Sequence, residues 1–198
     1  MSTLSKTKVI GITGSIGSGK SQVSKYIKEM YPVIDCDQVN ARLLEKGQPG
    51  YEALMALSYV QVQADQTIDK VHLANEMFSD CEKKKEIESI LHPLIFKRID
   101  QWIQEQQTPV VFVEMPILFE IGATHMFDEI WCVYAPKEEA ISRLSLYRGI
   151  SKEEGLRRWN AQLSPQEKMR KSDVVIYNDG TLADLYAQVQ DDLEKVKE

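Results

Sequence analysis

The run Gly14-Ser15-Ile16-Gly17-Ser18-Gly19-Lys20-Ser21 matches the pattern G-x-x-x-x-G-K-[ST] in full, and it restricts the fold more than any other stretch of the chain. Glycines let successive backbone N–H groups turn inward on an anion. The lysine that follows reaches the β- and γ-phosphates of a polyphosphate, and the closing hydroxyl ligates Mg²⁺. Ahead of the loop, Lys8-Val9-Ile10-Gly11-Ile12-Thr13 is short, apolar and β-branched like a buried parallel strand; behind it, Gln22 to Met30 reads as a helix. That order aims the loop amides and the positive end of the helix at one phosphate group. The bland alternative, a glycine-rich turn between strand and helix, is disfavoured by the full match in this setting.

Downstream, Tyr31-Pro32-Val33-Ile34-Asp35 reads as a second strand ending in the acidic pair Asp35 and Asp37. In an open parallel sheet, ligands gather at the carboxyl ends of the strands, which places these carboxylates on the P-loop side. Asp37 has two readings: a functional carboxylate, or the cap of a helix over Gln38 to Glu45. From the turn Gly47-Gln48-Pro49-Gly50 to about residue 107 the pattern is mostly helical. Val71, Leu73, Ala74, Met77 and Phe78 mark one helix and Ile87, Ile90 and Leu91 another; Leu94, Ile95, Ile99, Trp102 and Ile103 mark a third beginning beyond Pro93. Further strands are expected at Val110 to Glu114, Glu129 to Tyr134 and Val174 to Tyr177, and a final helix carries Leu182, Leu185, Val189, Leu193 and Val196 on one stripe. Glu114, closing an apolar strand, is either a generic polar strand end or a Walker-B-like carboxylate with an outer-sphere role at magnesium.

Between strands four and five lies a basic segment with Arg143, Arg148, Arg157, Arg158, Lys168, Arg170 and Lys171. Pro136 opens a helix to Tyr147, Ser151 caps one over Lys152 to Gln162, and Ser164-Pro165 starts another. Arginines on such a helical hairpin suit a lid that binds phosphate and excludes water. About half of the seven are expected to be surface residues paired with Glu153, Glu154 and Glu167.

Composition bounds the function further. A chain of 198 residues, 43% hydrophobic, buries one good core with room for a subdomain. Its net charge of −6 argues against a general nucleic-acid binder. Cys36, Cys81 and Cys132 are too scattered for a zinc site or redox pair. No apolar run approaches the roughly 20 residues of a membrane span, and Met1-Ser2-Thr3-Leu4-Ser5-Lys6 lacks a signal-peptide apolar region. A cytoplasmic protein with no membrane partner is the expectation.

Several runs together resemble one family, dephospho-coenzyme A kinase, over nearly the whole chain. They are Gly11-Ile12-Thr13-Gly14, Ile34-Asp35-Cys36-Asp37, Leu91-His92-Pro93-Leu94-Ile95, Pro116-Ile117-Leu118-Phe119-Glu120, Arg143-Leu144 with Arg148, Arg158 followed by Gln162, and Asp173-Val174-Val175-Ile176 with Asn178-Asp179-Gly180. The resemblance implies an α/β P-loop NTPase fold, with a five-stranded parallel sheet flanked by helices, a helical acceptor-binding insertion and a helical lid. As a single kinase domain over 1–198, the chain divides into a nucleotide-binding core (about 1–46, 108–142 and 172–198), the insertion (about 47–107) and the lid (about 143–171).

The implied reaction is ATP-dependent phosphorylation of the ribose 3′-hydroxyl of dephospho-coenzyme A, with ATP and Mg²⁺, in a monomer or weak homo-oligomer. On this resemblance Gly14, Ser15, Ile16, Gly17, Ser18, Gly19 and Lys20 hold the ATP phosphates, Ser21 holds Mg²⁺, and Asn178 lies in the loop near the adenine. Asp37 orients and deprotonates the attacking hydroxyl, and Arg143 and Arg148 direct charge at phosphates. His92, Pro93 and Arg158 fall on the acceptor side; by spacing alone His92 reads as a packed helix-end histidine. Ser15 stands where a second glycine is common, which asks the loop for a backbone conformation glycine adopts more easily. Another small-molecule P-loop kinase is the nearest rival. A non-catalytic nucleotide switch is a rival of a different class, and the absence of an N-K-x-D motif disfavours its GTPase form.

Overall fold

Strands appear where apolar runs end in polar or glycine residues: β1 (Lys8–Gly14), β2 (Val33–Asp35), β3 (Val110–Glu114), β4 (Glu129–Tyr134) and β5 (Val174–Tyr177). The computed structural model describes residues 7–196; the first six residues, where no apolar leader is expected, and the last two lie outside the described residues. The strands form one five-stranded parallel sheet in the order β2-β3-β1-β4-β5. In register, β1 sets Ile12 opposite Glu114 of β3 and Trp131 of β4, and β4 sets Val133 opposite Ile176 of β5. The central strands show no polar alternation because both of their faces are covered.

On one face, Ile10, Ile12, Phe112, Trp131 and Val133 pack with Val23 and Ile27 of α1 (Lys20–Ile27) and with Leu185, Val189 and Leu193 of α9 (Leu182–Val196). Of the predicted apolar stripe of α9, Leu185, Val189 and Leu193 form the packing face and Val196 its edge, while Leu182 at the start of the helix is exposed. Helix α1 is shorter than expected at its far end and begins earlier, at Lys20 itself. On the other face, a Cβ on Gly11 would lie 2.9 Å from both Leu118 and Phe127, so glycine is what lets the 115–127 segment close over β1. Helix α8 (Pro165–Arg170) also packs against β1 and β4.

The basic segment folds as α6 (Lys137–Arg148), α7 (Lys152–Asn160) and α8, ended and restarted by the predicted signals. Ser151 Oγ accepts from Glu154 N at 3.2 Å and Ser164 Oγ from Glu167 N at 3.3 Å. Gly149, at φ 63°, ends α6. Gly155 is buried against Ile141 and Leu144, with 3.5 Å to a would-be Cβ, which lets α7 pack closely on α6.

The chain divides into two compact units, Met1–Ile34 with Gln107–Glu198, and Asp35–Gln106. The second holds α2 (Cys36–Leu43), α3 (Pro49–Met55), α4 (Lys70–Ser79) and α5 (Cys81–Glu105). They enclose their own cluster of Leu44, Tyr51, Leu54, Ile68, Leu73, Ile87 and Leu91. Two sequence expectations are corrected here. The cap of α2 is Asp35, whose Oδ1 accepts from Asp37 N at 2.8 Å and Gln38 N at 3.3 Å, so Asp37 lies one residue inside the helix. And no helix starts beyond Pro93: α5 runs unbroken from Cys81 to Glu105 with the proline inside it. A mid-helix proline forfeits a hydrogen bond at a cost of about 3 kcal/mol. Pro93 sits on the exposed side, and burial of Ile87 and Leu91 before it and Ile99 after it offsets that loss.

Candidate active site

The loop after β1 is shaped by three glycines at positive φ: Gly14 at 144°, Gly17 at 75° and Gly19 at 97°. Each is also a close contact. A Cβ would meet Val133 O at 2.2 Å from Gly14, Ala140 O at 2.4 Å from Gly17, and Asn178 Nδ2 at 2.1 Å from Gly19. No other residue type fits these places, because side chains here face both a disfavoured backbone region and a filled space. Ser15 is different: among the described residues only Gln66 combines a side chain with positive φ. The expected demand for a glycine-like backbone at Ser15 does not arise, and the residue is buried in an ordinary conformation.

Lys20 is buried, and its Nζ donates to Gly14 O at 3.0 Å and Ser15 O at 2.9 Å. These bonds hold the ammonium at the loop, beside the amides at the start of α1. Asn178, buried just beyond β5, donates from Nδ2 to Ser18 O at 2.8 Å and from its own N–H to Tyr134 O at 2.8 Å. Its carbonyl accepts from Arg143 Nη2 at 3.1 Å, and the same nitrogen meets Glu139 Oε2 at 2.9 Å. Arg143 Nη1 is buried with no hydrogen-bond partner. A buried unpaired donor costs about 1–3 kcal/mol, so this one marks a place for an acceptor.

Two contributors had no specific role in the sequence reading. Gln162 Oε1 accepts from the loop amide of Ile16 at 2.8 Å. Lys168, expected as one of the seven basic residues of a lid segment, is fully buried; it donates to Pro116 O at 2.9 Å and pairs with Glu120 at 2.8 Å. Beside these lysines, burial pushes the Cys132 thiol up to about 11, although the Lys168 and Lys20 charges pull the other way.

The other expected site residues are placed as follows. Arg148 lies exposed at the end of α6. Arg158 is held by Glu154, whose Oε1 accepts from its Nε at 2.6 Å while Arg157 takes the same carboxylate. These two guanidinium groups hold the Glu154 carboxyl down at about 2. Glu114 is buried at the end of β3, opposite Ile12. Asp37, His92 and Pro93 belong to the Asp35–Gln106 unit. Asp37 is exposed in the first turn of α2, and His92 stacks on Phe96 with ring centroids 6.0 Å apart.

A buried lysine, a three-glycine loop and a helix start form a site for the phosphates of a nucleotide. Comparison with known proteins narrows this. The profile of the dephospho-CoA kinase family matches residues 8–184. The chain belongs to the dephospho-CoA kinase family. A dephospho-CoA kinase of Carboxydothermus hydrogenoformans is 36% identical over 194 residues, covering 96% of this chain and 94% of the relative. A solved Thermus thermophilus structure superposes with TM-score 0.84 at 34% identity, covering 96% of this chain and 98% of the other. The dephospho-CoA kinase of Campylobacter jejuni follows at TM-score 0.69 and 25% identity, covering 95% and 96%. Among the described residues, no helix is long and apolar enough to cross a membrane.

Proposed function

We propose that this chain transfers the γ-phosphoryl group of ATP to the ribose 3′-hydroxyl of dephospho-coenzyme A, giving coenzyme A, the last step of its synthesis. The observation that carries this reading is the preformed phosphate loop, with Lys20 buried at it, in a chain that matches the family profile from residue 8 to 184. The loop amides and Lys20 hold the phosphates, and Asn178 borders the adenine side. Arg143 offers its unpartnered Nη1 to phosphate, and Arg148 adds charge when the lid segment, 143–171, covers the nucleotide. Residues 1–46, 108–142 and 172–198 serve as the nucleotide core, and 47–107 as the acceptor-binding insertion.

In the reaction the 3′-oxygen bonds to the γ-phosphorus as the bond to the β-phosphate oxygen breaks, and ADP leaves. Asp37 orients the hydroxyl and takes its proton late, since the transition state is loose and needs little nucleophile activation. The capping duty at α2 falls to Asp35, which supports this role for Asp37. His92, Pro93 and Arg158 are assigned to the acceptor. Magnesium fits the hard oxygens present: Ser21, exposed in the first turn of α1, would hold it, and Glu114 at the end of β3 would act on it from the outer sphere. Bound there, the ion neutralises charge on the β- and γ-phosphates.

We assign the protein to the cytoplasm as a monomer or weak homo-oligomer, with no nucleic-acid or membrane partner. An ADP-release assay comparing dephospho-coenzyme A with AMP, CMP and shikimate tests the reading. Turnover is expected with the first alone; a preference for any of the others overturns it in favour of another small-molecule kinase.

A further inference from the structure

Ile16 is the third residue of the phosphate loop, and its N–H has only one thing to do, donate. Its partner is neither the loop nor a neighbouring strand but Gln162, 146 residues away, just past the end of α7. Because a backbone N–H cannot accept, the oxygen of the Gln162 amide faces the loop, and its NH₂ end points elsewhere. The adjacent residue is anchored as well: Leu163 N donates to Glu120 Oε1 at 3.0 Å. The same oxygen receives buried Lys168 Nζ at 2.8 Å, and that nitrogen also donates to Pro116 O at 2.9 Å. Thr13 Oγ1, immediately before the phosphate loop, donates to the same Pro116 oxygen at 3.1 Å. The contacts form a closed ring, Thr13 to Pro116 to Lys168 to Glu120 to Leu163 and Gln162, and back to Ile16.

We propose that Gln162 is a positioning residue for ATP, latching the lid segment to the first half of the phosphate loop. The Lys168–Glu120 pair sets the height of the latch, and the Gln162 amide closes it. Gly17 is already seated against the carbonyl of Ala140 in α6. With Ile16 held by Gln162, consecutive loop residues are fixed by the lid segment and by the first turn of α6 that leads into it. Closing the lid and ordering the loop are therefore one event, and neither side chain needs to touch the reacting atoms. The inference rests on the kinase reading for its acceptor readout, but its nucleotide readout does not depend on which acceptor is used.

The experiment compares full-length wild type with Gln162→Met, which keeps length and loses the acceptor, and Gln162→Glu, which keeps an acceptor. For each, thermal midpoint, the Kd of a non-hydrolysable ATP analogue by titration calorimetry, and ATP hydrolysis without acceptor are measured. Loss of one such hydrogen bond predicts about a three- to tenfold weaker analogue Kd for Gln162→Met, with an unchanged midpoint. The ratio of acceptor-free hydrolysis to productive transfer is expected to rise, since an unlatched lid admits water. Gln162→Glu is expected to recover most of the Kd at high salt, where its added charge is screened from the triphosphate. Wild-type Kd and hydrolysis ratio in Gln162→Met overturn the proposal. So does a lowered midpoint with all parameters falling together in both variants, which is the signature of a merely structural contact. If wild type fails to phosphorylate dephospho-coenzyme A while the Kd pattern holds, the functional reading fails and the latch stands.

Discussion

The two compact units bury apolar side chains from different elements: strands with their covering helices in one, helices and their connections in the other. In the sheet unit Ile10, Ile12, Phe112, Trp131 and Val133 have no measurable exposure, and half-buried Tyr26, Tyr31, Val33, Val174, Tyr186 and Val196 border the cluster. In the Asp35–Gln106 unit the cluster is smaller and is bordered by half-buried Leu57, Tyr59, Val60, Met77, Ile90 and Ile95. Rigid strands carry a loop that must present amides to phosphate with little freedom. Charge differs as well: the sheet unit buries Lys20 and Lys168, whereas in the helical unit Lys85 pairs with Glu82 in solvent and Lys83 pairs with Glu76 only partly buried.

The comparison breaks most sharply on a pair of substitutions, one in each unit. Asp37→Asn is expected to lower kcat by about 10²–10⁴-fold, the usual loss for a general base, while the ATP Kd stays near wild type. Lys20→Ala is expected to damage nucleotide affinity and turnover together. Rapid-quench turnover and nucleotide titration distinguish them; equal activity in Asp37→Asn removes Asp37 from the mechanism.

A second pair sharpens the contrast in packing. Phe112→Ala should cost about 3–5 kcal/mol and Ile87→Ala about 2–5 kcal/mol in denaturant unfolding, from lost burial and the cavity left. The first is expected to weaken ATP binding and the second to raise the acceptor KM with ATP affinity intact. The reverse pattern would dissolve the division of labour between the units.

The smallest effect is expected from the cysteines. Cys81 is exposed at the start of α5, whereas Cys36 and Cys132 are buried, so a thiol reagent should label the native protein once and the unfolded protein three times. Burial holds the Cys132 thiol at about 11 against an ordinary 9.0. A folded-state pKa above the unfolded one means that its contribution is complete below about 9 and is lost as pH rises towards about 11. Thermal midpoints of wild type and Cys132→Ala should therefore converge over that window and run parallel below it.

Much of the sheet unit was legible because its signals are local. Each of the five strands is a short apolar run with a distinct stop, and Ser151 and Ser164 start the helices between β4 and β5 by capping chemistry that needs no tertiary partner. The helical unit was harder to read for a physical reason. Pro93 is a strong local stop signal, yet packing of Ile87, Leu91 and Ile99 along one side overrides it and keeps a single helix. At α2, two aspartates two residues apart both suit a cap, and only the turn of the chain after β2 selects Asp35.

The sequence alone determined the phosphate loop, since its glycine spacing, lysine and hydroxyl permit few other uses, and with it the α/β class; the family was legible in the runs at 34–37, 91–95 and 116–120 taken together. Tertiary structure decided what surrounds the loop. That Gly19 must be glycine because Asn178 occupies its side-chain space, that Ser15 needs no special backbone, and that Gln162 holds Ile16 follow from contacts between residues well over a hundred positions apart. A hydrogen bond closed over that separation leaves no periodicity in the chain, because its geometry exists only once the sheet has brought the ends of β1, β4 and β5 together.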